Sequence, residues 1–449
     1  MSTSLKMNIG YKQILQMSLP ISFAILVPQF NFLINSFFLS RLGPGNMGAS
    51  GITGVYYLIF SAIGFGLNNG LQALISRRGG QEREKEIGKL FVQSIYITLC
   101  IALAGILITY TVAPLIFEKN TNPDLYQKSM GFLYIRIWGL PFLYLYQMRN
   151  GLLVGTNQSK LLVWGTLAET LSNIVLDYGL IFGNLGLPNL GFNGAAYASV
   201  CAEFIGMVVV FALINAKGMH ERFGLFDSFK FDWESTKTIL IQSSPLVMQY
   251  GISIVSWEFF FILVSHDGPM ALDISQLMRL LFGFFGIFIW AFAATANTMV
   301  SNIIGQGMRK RVMILIGRII LLSSGSTLLI FIPLQFFPRE LLLLFNEDPT
   351  YLEAAIPVLR VVSIAILIMS VSTICLNSVT GTGNTRINLM IEAVTILMYC
   401  IYIYLVMEMF NLSIAWGWAS ELLYWTSILI LSFSYLKSGK WDNERMRAI

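Results

Sequence analysis

The chain repeats its own pattern once, at an offset of about 225 residues. Pro20 recurs as Pro245, Ser40 as Ser265, Gly43-Pro44 as Gly268-Pro269, Ser76 as Ser301 and Gly80-Gln81 as Gly305-Gln306. Farther along the offset drifts slightly: Arg136 matches Arg360, Gly155-Thr156 matches Gly381-Thr382, and Ala198-Ser199 matches Ala419-Ser420. Each copy is a succession of long apolar segments. A soluble domain of this length has no use for so many, because a span of about 20 apolar residues is what a bilayer requires.

Composition supports the membrane reading. Charged residues make up 12% of the 449 and apolar ones 55%, against about a quarter charged in soluble chains. The formal charge of +5 sits in short stretches between apolar runs. It forms no continuous basic face, which excludes a nucleic-acid binder. Cys100, Cys201, Cys375 and Cys400 lie in apolar segments without metal-ligand spacing and read as buried small apolar residues.

Twelve segments are long enough to cross. They fall near 14–39, 47–76, 89–113, 129–152, 161–183 and 192–215, and then near 238–264, 271–304, 312–337, 353–379, 387–408 and 412–436. The expected fold is an all-α membrane protein of twelve transmembrane helices in two pseudo-symmetric six-helix lobes. The expected domains are an N-terminal lobe (1–215), a polar cytoplasmic linker (216–237) and a C-terminal lobe (238–449) with a short basic tail. Arg77-Arg78, Arg83, Lys85, Lys89, Arg309-Lys310-Arg311 and the residues from Lys437 to Arg447 all fall on one side, which the positive-inside rule makes cytoplasmic. Both termini are then cytoplasmic. An even helix count per copy makes the duplication parallel, about an axis along the membrane normal, a plan used by secondary transporters.

An ionised side chain at the bilayer centre costs roughly 2.5–3.5 kcal/mol on insertion scales, so each one calls for a reason. Glu169, Asn173 and Asp177 are spaced i, i+4, i+8 and share one face of the fifth helix. Asp177 lies about 9 Å below the outer end of that helix, and Asn35 of the first helix sits at a similar depth. A carboxylate and amides at one level suit a proton or a small cation, which makes Asp177, Asn173, Asn35 and Glu169 ion-binding candidates. Glu258, in Trp257-Glu258-Phe259-Phe260-Phe261, is the candidate in the second copy. Glu203, Glu392 and Glu421 are expected to pair with the intramembrane Arg136, Arg279 and Arg360. Pro20, Pro28, Pro141, Pro245 and Pro357 interrupt helical hydrogen bonding, with Pro20 the candidate hinge. Trp138, Tyr144, Tyr146, Met148, Trp257, Met278 and Trp290 are the aromatic and thioether side chains that could line a cavity for flat cations. Motifs of metalloproteases, phosphate-binding loops and serine hydrolases are missing, so no enzyme activity and no organic cofactor are expected.

Several stretches taken together carry a family resemblance: Ser18-Leu19-Pro20, Ser40-Arg41-Leu42-Gly43, Tyr134-Ile135-Arg136 through Pro141, Asn173 through Gly183, and Leu190 through Ala196. The chain resembles the multidrug and toxic compound extrusion (MATE) family. That resemblance implies a V-shaped pair of six-helix lobes in the plasma membrane, the inner membrane of a bacterium. It implies an antiporter, read as a monomer, that exports amphipathic organic cations against H⁺ or Na⁺ by rocking between two open states. A lipid or lipid-linked oligosaccharide flippase of the same superfamily is the alternative. In the proton-coupled branch, a first-helix Asp joins an Asn and an Asp four apart on the fifth helix. Asn173 and Asp177 match that pair, and Pro20 matches the proline whose bend accompanies protonation. Asn35 stands where the first-helix Asp would be, and an amide cannot titrate. The sodium-coupled branch has a seventh-helix Glu several residues earlier than Glu258, and its tenth-helix Asp has no counterpart between Ala354 and Val379. Asp177 is therefore the expected coupling residue, alone or with Glu258, and the expected position of any Na⁺; no other metal site is expected.

Overall fold

The computed structural model describes residues 4–43, 45–227 and 229–442. Pro44 of the first repeat landmark and Arg445 and Arg447 of the basic tail lie outside them. Every regular element among the described residues is helical. The first copy forms α1 (Tyr11–Ser40), α2 (Asn46–Gly80), α3 (Glu84–Thr111), α4 (Ala113–Asn120), α5 (Pro123–Arg136), α6 (Leu140–Gly155), α7 (Lys160–Phe182) and α8 (Phe192–Ala216). The short α9 (Met219–Phe223) follows. The second copy forms α10 (Trp233–His266), α11 (Pro269–Gly305), α12 (Val312–Phe336), α13 (Pro338–Leu342), α14 (Pro349–Thr382), α15 (Thr385–Tyr404), α16 (Ile414–Trp418) and α17 (Ser420–Lys437).

Ten helical stretches among the described residues are long and apolar enough to cross a membrane. The two other expected spans fall short of that standard. The segment near 129–152 is divided into α5 and α6 by a 3-10 turn at Ile137–Gly139, just ahead of Pro141. The other, α7, is continuous and carries Lys160, Glu169 and Asp177. Both exceptions are thus stretches where charge or proline interrupts an apolar run. Proline cannot donate the backbone bond a helix needs there.

The chain divides into two compact units. One comprises Met1–Leu5 and Phe23–Ser243, the other Lys6–Ser22 and Ser244–Ile449. Two of the three boundaries fall inside helices, two residues after Pro20 in α1 and just before Pro245 in α10. The polar stretch 216–237 is fastened along α3 within the first unit. Arg222 pairs with Glu84 at 2.7 Å, Lys85 with Asp227 at 3.4 Å and Lys89 with Asp232 at 2.9 Å. Gln93 donates to the Lys230 carbonyl at 2.9 Å and Tyr96 to that of Phe229 at 2.7 Å. Gly88 permits this, since a Cβ there would strike the Phe223 carbonyl.

Each unit has apolar clusters of its own, the second including one around Leu376, Ile391 and Ile428. In the second, Phe260, Met278, Leu359, Ile366 and Trp418 belong to one extended cluster with Trp257, Tyr424 and Trp425 packed against it. In the first, separate clusters form around Tyr144 and Phe60, around Leu133 and Phe117, and around Leu39 and Ile181. Of the cysteines, Cys375 is buried and Cys400 half-buried, whereas Cys100 and Cys201 are exposed, contrary to expectation for those two. Tyr144, Met148 and Met278 are buried core residues, while Trp138 and Trp290 are exposed.

Candidate functional site

Helical spacing puts Thr166, Thr170, Asn173 and Asp177 on one stripe of α7, and all four are buried. The same stripe meets α1. The side-chain amides of Asn31 and Asn173 lie 2.7 Å apart. Two turns on, Leu39 packs with Ile181, and the Phe38 ring contacts those of Tyr178 and Phe182. The two contacts fix a parallel register, and in that register Asn35 comes level with Asp177.

At this level sit two oxygens without partners. Asp177 is fully buried and its Oδ1 has no hydrogen bond; the Asn35 Oδ1 is likewise buried and unpartnered. Asp177 Oδ2 has one neighbour. In the orientation of the Asn173 amide that satisfies its surroundings, the NH₂ donates to Asp177 Oδ2 at 3.3 Å and to Asn31 Oδ1 at 3.1 Å, and the oxygen accepts the Ser199 backbone N–H at 3.2 Å. Among the described residues no arginine, lysine or histidine pairs with Asp177. An unpartnered acceptor in such a place forfeits about 1–3 kcal/mol, and more if charged. A proton would remove the charge from the Asp177 carboxyl, and a small cation at this level would find acceptor oxygens on both residues. The sequence reading passed over Asn31. Its signal was present: it precedes Asn35 by one helical turn and shares its face.

Glu169 belongs to different surroundings. It lies on α7 about 12 Å below Asp177, half-buried, with its side chain against Gly206 of α8. The same Gly206 offers its carbonyl to Arg149 Nη1 at 3.4 Å. Arg149 is fully buried, stacks over the Tyr146 ring at 3.9 Å and donates to Asn150 Oδ1 at 2.8 Å, while its Nε has no partner. Tyr146 in turn shares a hydrogen bond with Thr166 at 2.9 Å. Arg149 was not among the intramembrane arginines singled out from the sequence, although it stands in the apolar run that follows Pro141.

The third polar group is closed on itself. Arg136 grips Glu203 with both nitrogens, at 2.5 and 2.9 Å, as the pairing expectation required. Arg136 also donates to the Tyr57 hydroxyl at 3.0 Å and lies over that ring at 4.0 Å. Glu392 and Glu421 do not follow that expectation. Glu392 is met by Ser253, Gln249 and Tyr424, and Glu421 by Tyr399 and Trp425. Arg279 and Arg360 are exposed. Glu258 is half-buried on α10 in the second unit, with no hydrogen bond or ion pair among the described residues. Its neighbour Trp257 takes the aromatic contacts, with Phe260, Phe261, Phe282 and Trp418. Of the five predicted ion-binding residues, Asn173 and Asp177 are in contact and Asn35 is level with them, Glu169 lies two turns away on α7, and Glu258 belongs to the second unit.

The family profile described as MatE matches residues 20–179 and again residues 245–405, starting at the repeat landmarks Pro20 and Pro245. The chain belongs to the MATE family. Across 87% of both chains it is 23% identical to a probable multidrug resistance protein NorM of Synechocystis, and it is 21% identical to that of Thermotoga maritima over 96% of this chain and 93% of the relative. Its fold matches a crystal structure of MATE in complex with MaL6, with a TM-score of 0.87 at 16% identity over 99% of this chain and 98% of that one. It also matches the outward-facing conformation of a multidrug resistance MATE family transporter, with a TM-score of 0.84 at 18% identity over 98% and 96% of the two chains. The chain is therefore an integral membrane protein with a MATE fold, and the Asp177 stripe lies within the first matched segment.

Proposed function

We propose that this MATE protein is a multidrug efflux transporter that exchanges amphipathic organic cations for H⁺ or Na⁺. The observation that carries this reading is the pair of buried, unpartnered oxygens on Asp177 and Asn35, with Asn173 hydrogen-bonded to Asp177 and no cationic side chain among the described residues to neutralise the carboxylate. A carboxylate so placed is costly when charged and empty, and comfortable when it holds a proton or a small cation. Binding of that ion is then worth free energy to whichever state buries the site, and this is what couples it to a conformational change. Asn35 supplies an acceptor and not a second titratable group, so the site exchanges one charge. The multidrug resistance names of the relatives support the efflux reading.

In this reading α5 with α6, and α7, complete twelve crossings in two six-helix lobes, with both termini on the cytoplasmic side. Rocking of the lobes gives alternating access, and Pro20 bends α1 where the unit boundary falls. Asn31 joins Asn35, Asn173 and Asp177 as an ion-site residue. Glu169 serves as counter-charge to Arg149, because protonating Glu169 would leave a buried guanidinium uncompensated. Glu258, half-buried in the second unit with no hydrogen bond or ion pair among the described residues, is the second residue proposed to take up an ion.

The experiment is transport in proteoliposomes of the purified chain, with a fluorescent organic cation and with pH and Na⁺ gradients imposed separately. Uphill movement under one gradient is expected. Movement under neither would defeat the antiport reading.

A further inference from the structure

The second unit holds a buried carboxylate that the ion site above does not use. Glu392 of α15 is 1% exposed. Its Oε1 is met by the Ser253 hydroxyl of α10 at 2.7 Å and by the Tyr424 hydroxyl of α17. Its Oε2 receives only the Gln249 amide, at 3.4 Å. Asn388, one turn earlier on α15, donates to Gln249 Oε1 at 2.7 Å, which holds the Gln249 NH₂ toward Glu392. Among the described residues no cationic side chain pairs with Glu392.

The protons in this cluster can be counted. Ser253 Oγ lies 2.7 Å from Glu392 Oε1 and 2.8 Å from the Gln249 carbonyl oxygen. A serine hydroxyl has one hydrogen to give. Both contacts are full, unshared hydrogen bonds at once when the carboxyl carries a proton and donates it to Ser253. When the carboxyl is ionised, the hydroxyl turns to it and leaves the carbonyl to its helix. The two protonation states therefore differ by one hydroxyl rotation, with no backbone movement. The groups around the carboxylate are donors: a serine, a phenol and an amide NH₂. Donors hold the ionised carboxylate but offer no ring of lone pairs to a metal ion, and the Ser253 hydroxyl, which can also accept, is what receives a proton placed on Oε1. Asn388 Oδ1 is buried without a partner beside this cluster and is an open acceptor for a water delivering the proton.

The other faces add no positive charge. From α17 come Tyr424 and, through the Tyr424–Trp425 contact at 4.7 Å, Glu421. From α15 comes Tyr399, which donates to Glu421 at 3.3 Å. From α14 comes Leu376. From α10 come Gln249 and Ser253.

We propose that Glu392, held by Ser253, Tyr424 and Gln249, is a second exchangeable-proton site, located in the second unit. Loading transfers one proton from a hydronium ion to Oε1 and leaves a water; unloading is the reverse, and no other bond changes. Its place in a transport cycle rests on the antiport reading, but its exchange of a proton does not.

Infrared difference spectroscopy of the purified chain in liposomes, titrated across about pH 5 to 8, reads the carbonyl band of a protonated carboxyl group directly. The expected result is a band that titrates in the wild type, is lost in Glu392→Gln, persists in Asp177→Asn and shifts in frequency in Ser253→Ala. If Glu392→Gln does not insert, Glu392→Asp and Ser253→Ala carry the test through the shift alone. A wild type without a Glu392-dependent band overturns the proposal, and so does a band that sodium abolishes at constant pH. A wild type that shows the band but no gradient-driven efflux supports the proton site and defeats the antiport reading.

Discussion

The two units bury ionisable groups by different means. In the first, positive and negative side chains are interleaved. Arg136 locks Glu203 in a two-pronged pair, and Arg149 stacks on Tyr146 near Glu169. In the second, Glu392 and Glu421 are held by hydroxyls, an amide and an indole, and no arginine among the described residues pairs with them. The difference teaches what to ask of a buried carboxylate. One that is paired with a fixed cation is committed to its charge. One surrounded by neutral donors, or by nothing, is free to take up a proton. By that criterion Asp177 is the exception in its unit, and it resembles the carboxylates of the other unit more than its own neighbours.

The largest expected effect breaks the closed pair. Arg136→Met leaves Glu203 buried and uncompensated and should cost about 3–5 kcal/mol, read as a lower unfolding temperature in detergent. Arg136→Met combined with Glu203→Met should recover most of that loss. Equal damage from the single and the double variant would show that the pair is not what holds α5 to α8.

A smaller effect separates the units by packing. A Cβ on Gly194 would lie 2.5 Å from the Leu180 carbonyl oxygen, part of a backbone that cannot yield. In the second copy, Gly417 faces Met407 Sδ at 2.8 Å, the end of a flexible side chain. Gly194→Ala should therefore destabilise by about 1–3 kcal/mol, and Gly417→Ala by clearly less. The same thermal measurement decides it, and a reversed order would contradict the contact.

The smallest effect concerns a carboxylate in water. Asp232 caps α10 by accepting the Ser235 N–H at 3.0 Å. Hydrogen bonding from Ser235, and then from Lys89, holds its carboxyl down to about 2. A depressed carboxylate stabilises the fold above its ordinary value of about 4, and the contribution fades as pH falls from there to about 2. Asp232→Ala should cost about 1 kcal/mol at neutral pH and nothing below that window. A penalty that persists in strong acid would assign the effect to packing.

Much of this was legible in the residues. The repeat landmarks and the apolar runs mark helices close to those observed, because length and hydropathy alone decide what can lie in a bilayer. The i, i+4 spacing of Asn173 and Asp177 was enough to place both on one buried face. Contacts between helices were not legible. The meeting of Asn31 with Asn173 depends on the register of α1 against α7, and no periodicity within either helix encodes it. The fates of Glu203 and Glu392 differ for the same reason: each partner comes from a helix distant in sequence. For Glu258 the sequence shows only that it stands among aromatics; that Trp257 is the residue turned into the aromatic cluster, with Glu258 half-buried beside it, is decided by the packing of α10.

The central claim is that the uncompensated carboxylate of Asp177 holds the coupling ion. Its most direct test compares wild type and Asp177→Asn in proteoliposomes, following uphill movement of a fluorescent organic cation under an imposed pH or Na⁺ gradient. The isosteric amide should leave folding and downhill equilibration in place and abolish the gradient-driven component. Gradient-driven movement at the wild-type rate in Asp177→Asn would contradict the account.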